Sequence, residues 1–315
     1  LLSNTSGQYN AGFGYQSMYS NTSGSYNTAL GNSALYSNTT ASQNTAVGYQ
    51  SLYNNTTNSY STAIGYQAQY YQFGGFNTSV GIQSLYGAGG GTSTGIYNSA
   101  FSGGSLYSNT SGSYNTALGN QALYSNTTAS NNTAVGFQAG YSETTGSNNT
   151  FLGYQSGYSQ NGGSSNVYVG YQAGYSTSTG YANTFIGQGS GTSVTSGYYN
   201  TILGRFSGNS GGLDIRTSSN YIVLSDGAGN PRAYWDNSGV LHQGVDASIH
   251  GLTVGLGANG VSGNTALGVA ALPSITSGGT NTGVGYSAGY YITTGAGNSY
   301  FGYSSGPNQA ASTGS

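Results

Sequence analysis

A segment that reads Asn-Thr-Ala-Val-Gly-Tyr-Gln-Ser-Leu-Tyr at 44–53 returns about every seventeen residues along nearly the whole chain. With its glycine as anchor, copies fall at Gly14, Gly31, Gly48, Gly65, Gly81, Ser102, Gly119, Gly136, Gly153, Gly170, Gly187, Gly204, Gly268, Gly285 and Gly302. Most intervals are seventeen residues, so the period is structural, and a period this short means stacked coils.

The columns of the repeat predict what each coil builds. The residue before the anchor is apolar in every copy: Phe13, Leu30, Val47, Ile64, Val80, Phe101, Leu118, Val135, Leu152, Val169, Ile186, Leu203, Leu267, Val284 and Phe301. That column is expected to be the core. Three after the anchor stands Ala or Ser throughout, from Ser17 and Ala34 to Ser305, as where two backbones approach closely. Four before it stands Asn, including Asn27, Asn44, Asn115, Asn132 and Asn149, with Ser61 the exception. Identical amides at one phase are expected to form a ladder, each bonding to the next coil. Five after it is Tyr in ten successive copies, at Tyr19, Tyr36, Tyr53, Tyr70, Tyr86, Tyr107, Tyr124, Tyr141, Tyr158 and Tyr175, and again at Tyr290. That predicts stacked rings with a wet hydroxyl edge.

Composition agrees. With 57 Gly, 32 Tyr and only 3 basic residues, all Arg, the chain is neither an ordinary globular domain nor, at a net charge of −2, a typical disordered one. The expected fold is an all-β solenoid, a parallel β-roll or β-helix of seventeen-residue coils. Asn/Thr/Ser/Gly turns would separate two short strands per coil. Fifteen coils at about 4.8 Å would make a rod of about 70 Å. Four after the anchor, Leu35, Leu52, Leu85, Leu106 and Leu123 give way to Gly140, Gly157, Gly174, Gly191 and Gly208, which predicts a changed cross-section or bend beyond about residue 130.

Four regions are expected: coils over 1–207, a charged β-meander insertion over 208–258, three more coils over 259–306 and a flexible tail over 307–315. Tyr221 to Ser225 and Pro231 to Trp235 read as strands around a tight turn, and the repeat is expected to resume at 251–255. The interval of 21 residues between Gly81 and Ser102 predicts a loop at 87–91. A start at Leu1 without Met or a leader suggests a processed form or a piece of something longer.

The repeat N-T-A-V-G-Y-Q-A-L-Y-S-N-T-T resembles the head repeats of trimeric autotransporter adhesins and, more closely, the repeats of phage tail-fibre-like proteins. The run from Asn220 through Gly227 and on through Arg232-Ala233-Tyr234-Trp235-Asp236 resembles a segment found late in such fibres. The resemblance implies a β-roll or β-prism in which three identical chains wind into an extracellular, cell-surface or virion-tail fibre. The adhesin repeat is shorter than seventeen residues, and no terminal chaperone, anchor barrel or coiled-coil stalk is visible.

Function classes narrow accordingly. Without a Lys/Arg field the chain is not expected to bind nucleic acid, and no apolar run is long enough to insert in a membrane. No cofactor or metal is expected, since the chain lacks cysteine and has two His. Glu143, Asp214, Asp226, Asp236 and Asp246 could supply a carboxylate pair for cutting polysaccharide, and His242 with Asp236 or Asp246 and a Ser a triad, but most of these Asp sit in turns. The expectation is no enzyme. Asn38-Thr39-Thr40, Asn109-Thr110-Ser111 and Asn126-Thr127-Thr128 match the N-glycosylation pattern, with turn chemistry the favoured reading. The Tyr ladder could hold the rod together or stack on sugars, the former favoured.

The expected partner is the chain itself, as a homotrimer or an end-to-end filament, with a cell-surface glycan or protein receptor as a further partner. Receptor contact is expected at the 87–91 loop, at a tip outside the chain, or in the charged module through Arg232, Trp235, Asp236 and His242. An ice-binding solenoid is a third reading, with only a single Thr column to support it.

Overall fold

The structure, a computed structural model, describes residues 3–87, 93–243, 247–249 and 252–307, so most of the expected 87–91 loop and of the 307–315 tail lies outside the described residues. The chain divides into two compact units, 1–240 and 241–315.

In the first unit, twelve three-residue strands run from Ala11–Phe13 through Thr28–Leu30 and Thr45–Val47 to Thr201–Leu203. Each pairs in parallel with the next, column on column: Thr28 lies opposite Thr45, Ala29 opposite Ala46 and Leu30 opposite Val47. The register survives both irregular intervals, Thr62 lying opposite Thr78 and Thr78 opposite Ser99. The fold is thus a parallel β-solenoid of seventeen-residue coils, and at about 4.8 Å per strand its twelve rungs span about 55 Å. The strand Ile222–Ser225 adds a thirteenth rung, Ile222 opposite Thr201, and then turns antiparallel into Pro231–Trp235. The sheet therefore continues past residue 208, where the composition changes.

In the second unit, Thr265–Gly268, Thr282–Val284 and Ser299–Phe301 stack in the same parallel register. The strand Leu252–Gly255, where the repeat was expected to resume, instead pairs antiparallel with Thr265–Gly268.

Each coil carries one strand and not the expected two. The remainder is a run of turns in which three positions adopt left-handed φ, as at Gln50 (54°), Leu52 (50°) and Tyr60 (64°). Each such non-glycine residue costs on the order of 1 kcal/mol and persists only where its surroundings fix it. Here they do: the Gln50 N–H donates to the Asn32 carbonyl and the Leu52 N–H to the Ala68 carbonyl, one bond to each neighbouring coil. The anchor glycine is required twice over. Gly48 has φ 128°, and a Cβ there would lie 2.5 Å from the Gly65 carbonyl oxygen of the next coil.

The core is not where the sequence placed it. In a strand, alternate residues face opposite sides. The buried position is the middle one, occupied by Ala29, Ala46, Ala63, Ala100, Ala117 and Ala134 and then by Phe151, Tyr168, Phe185 and Ile202, all 0% exposed. The column before the anchor therefore faces outward. Phe13, Leu30, Ile64, Phe101, Leu118, Leu152, Ile186, Leu203, Leu267 and Phe301 are exposed, and Val47, Val80, Val135, Val169 and Val284 are half-buried. None is core.

The middle column is small because a turn residue fills the interior. Leu35, Leu52, Leu85, Leu106 and Leu123, four after their anchors, are buried against it. From residue 140 the two columns exchange volume. A Cβ on Gly140 would lie 2.5 Å from the Phe151 ring, on Gly174 2.6 Å from Tyr168 and on Gly191 2.4 Å from Phe185. Leucine over alanine becomes glycine over an aromatic ring, so the change from Leu to Gly is an exchange of filling. One rung is polar in both columns at once, with Gln69 Nε2 donating to Ser79 Oγ at 3.1 Å.

Candidate functional site: side-chain ladders and the outward strand face

Two amide ladders run through the first unit. In the expected one, each Asn grips the following coil twice. Asn27 Oδ1 accepts from the Asn44 N–H at 3.0 Å, and Asn27 Nδ2 donates to the Ala41 carbonyl at 2.8 Å. Asn115 does the same toward Asn132 and Ala129, and Asn149 toward Asn166 and Gly163. The expected amide-to-amide ladder is thus chiefly amide to backbone. Backbone groups that would otherwise be buried without partners are satisfied this way. At Ser61 the side chain is too short to continue, and its buried Oγ has no partner.

The second ladder, seven after the anchor, went unread in the sequence because its Asn residues resemble turn formers. Asn21, Asn38, Asn109 and Asn126 are fully buried. Each donates to a carbonyl three residues on, and Asn38 Nδ2 also reaches Asn21 Oδ1 at 2.7 Å, as Asn126 Nδ2 reaches Asn109 Oδ1 at 2.8 Å. These are the asparagines of the Asn38-Thr39-Thr40, Asn109-Thr110-Ser111 and Asn126-Thr127-Thr128 sequons. Their amides are spent inside the coil, so in the folded chain they are closed to glycan transfer, and turn and ladder chemistry accounts for them.

Glu143 occupies the same column, fully buried. Its Oε1 accepts from the backbone N–H of Thr145, Gly146 and Gly162, while Oε2 has no partner. Burial raises its pKa, against the opposing pull of those N–H groups.

The tyrosines from Tyr19 to Tyr175 form one unbroken stack of ten rings. Neighbouring centroids are 5.0–5.5 Å apart and planes lie within 14°. Each ring face inside the stack is covered by its neighbour. What reaches solvent is the ring edge, which cannot receive a sugar lying flat, so this ladder acts in cohesion. Shorter stacks flank it, Tyr60–Phe76–Tyr97–Tyr114 and Phe137–Tyr154–Tyr171.

The charged residues sit where the repeat is broken. Asp214 and Arg216 form an exposed ion pair at 2.7 Å, which holds the Asp214 pKa below its ordinary value. Asp226 caps the 226–230 turn and pairs with Arg232; the Asn230 N–H first, with Arg232 and Ala228 adding to it, brings its pKa to about 2. Asp236 accepts from the N–H of Ser238 and Val240 in the next turn. Trp235, half-buried, lies opposite Ile222, and His242 lies half-buried on the strand Leu241–Gln243. Arg232 is thus brought to Asp226, with most of its side chain still exposed. Each described carboxylate is engaged locally, while Asp246 lies outside the described residues. Among the described residues no three His, Asp or Glu side chains converge as metal ligands, and no helix is long and apolar enough to cross a membrane.

The outward strand face runs the length of the first unit's twelve rungs. Thr28, Thr45, Thr62 and their equivalents line one edge, and the apolar column from Phe13 (67% exposed) through Ile64 (39%) and Leu118 (49%) to Leu203 (41%) lines the other. Compared with protein-family models, curated proteins and solved structures, the chain matches none.

Proposed function

We propose that this chain is a non-enzymatic structural shaft whose copies associate through the outward strand face, as a homotrimeric fibre that carries a binding element away from a cell or virion surface. The supporting observation is that face: an unbroken, uncharged apolar column over twelve rungs. A half-exposed aliphatic side chain leaves on the order of 70 Å² uncovered, so twelve rungs leave on the order of 800 Å² per chain, what each partner gives to a stable complex. A second copy matches the face over its whole length, because it repeats at the same spacing and brings no charge. The resemblance to adhesin-head and tail-fibre repeats supports the same reading and, with it, an extracellular location.

With Val47, Ile64 and Leu118 facing water, the shaft no longer rests on a greasy thread inside each coil. It rests on stacked rungs whose interior is filled from the middle and turn columns. Sedimentation equilibrium of the full chain tests the proposal: a discrete trimer is expected. Open-ended polymers would favour the end-to-end filament, and a monomer at micromolar concentration would overturn both.

A further inference from the structure

The chain has 32 tyrosines and neither cysteine nor lysine, so disulfides and lysine-borne links are closed to it. Its phenols are the abundant side chains left for covalent cross-linking, and the ten-ring stack arranges them for it. From Tyr36 to Tyr175 every ring in the column is half-buried, with its edge toward solvent. We propose that this stack is an oxidative cross-linking site, at which phenols of successive coils couple to dityrosine when a peroxidase with hydrogen peroxide acts on the chain.

The step balances. Each of two neighbouring phenols gives one electron and its hydroxyl proton to the peroxidase. The two phenoxyl radicals join through their ortho carbons, and the ortho hydrogens return to the oxygens as the rings rearomatise. One carbon–carbon bond forms, two hydrogens leave the protein, and one hydrogen peroxide becomes two waters. A radical on Tyr36 finds Tyr53 parallel at 5.0 Å, and one on Tyr107 finds Tyr124 at 5.0 Å. Coupling then needs side-chain motion only, and the held geometry gives the intramolecular partner a high effective concentration.

Two tyrosines serve as internal controls. Tyr168 is fully buried between Phe151 and Phe185, with its hydroxyl donating to Gln160 Oε1 at 3.2 Å. Tyr15 is 71% exposed, but its column mate in the next coil is Asn32. If stacking governs the chemistry, both stay unlinked.

Treatment of the full chain with peroxidase and hydrogen peroxide, followed by peptic digestion and mass spectrometry, tests this. Linked peptides two hydrogens lighter are expected to join Tyr36 to Tyr53, Tyr107 to Tyr124 and Tyr141 to Tyr158, with a yield independent of protein concentration. Tyr53→Phe preserves the stack, since Phe76 already sits within a flanking one, and is expected to abolish the links of residue 53 while leaving Tyr107–Tyr124 unchanged. Absence of coupling, links that follow exposure and include Tyr15, or links mainly between chains and rising with concentration would each overturn the proposal.

Discussion

At the residue scale, Glu143 is the sharpest departure from the repeat. One coil earlier, Asn126 Nδ2 donates to Asn109 Oδ1; at Glu143 the donor is replaced by a carboxyl oxygen, and both Asn126 Oδ1 and Glu143 Oε2 are left without partners. A proton on Oε2 supplies the missing donor, and burial favours that protonated form. The Tyr168 phenol feels the Glu143 charge, and its pKa is raised by burial first and by that charge in addition. Because the folded pKa lies above the unfolded one, the stabilisation is complete below the ordinary Glu pKa of about 4.3 and is lost as pH rises through the folded value. Glu143→Gln keeps the acceptor for the three backbone N–H groups and adds a permanent donor. It is expected to stabilise the fold by about 1–2 kcal/mol at pH 7 and by little near pH 4. Urea unfolding at both pH values checks this, and an equal gain at the two would remove the proton from the account.

At the scale of the element, the seventeen-residue coil is held by complementary filling of two columns. Phe151→Ala alone opens a cavity and is expected to cost about 3–5 kcal/mol. Gly140→Leu alone overpacks, since a Cβ there meets the Phe151 ring. Combined, they recreate the Leu123-over-Ala134 arrangement, with leucine at a left-handed φ that Leu123 already adopts at 49°. A favourable coupling of about 2 kcal/mol is expected from the double-mutant cycle by thermal or urea unfolding, and additive losses would refute complementary filling.

This pairing also shows what the sequence could tell. Period, the glycine anchor, the Asn column and the Tyr stack were legible because each is one residue type at one phase. The inside of a three-residue strand was not. In Thr45-Ala46-Val47 the greasiest residue is Val47, yet alternation turns it outward, and Ala46 is small because Leu52 fills the space from a turn. The clue was that alanine grows to Phe151, Tyr168 and Phe185 just where leucine shrinks to glycine. Glu143 hid for a similar reason, since a lone carboxylate among Asn, Thr and Gly reads as a surface turn until the ladder beneath it is seen.

At the scale of the whole molecule, the outward face and the interior answer to different demands, so they can be altered separately. Leu118→Glu with Leu152→Glu places two charges on exposed positions of the apolar column. Little loss of monomer stability is expected, within about 0.5 kcal/mol per site, alongside loss of any assembly seen for the unaltered chain. Circular dichroism reads the first and sedimentation the second; assembly that survives both charges would move the contact to another face.

The stacking has a mechanical side. Neighbouring coils of the first unit are joined by strand bridges, paired Asn grips and ring contacts acting side by side, so a pull along the solenoid loads all of them together and none can yield early. A coil peeled from an end breaks only one such layer, and frees a length of about 60 Å at full extension. A solenoid of this design lengthens under tension in steps, shedding one coil, in most cases of seventeen residues, at a time while the untouched rungs keep their grip.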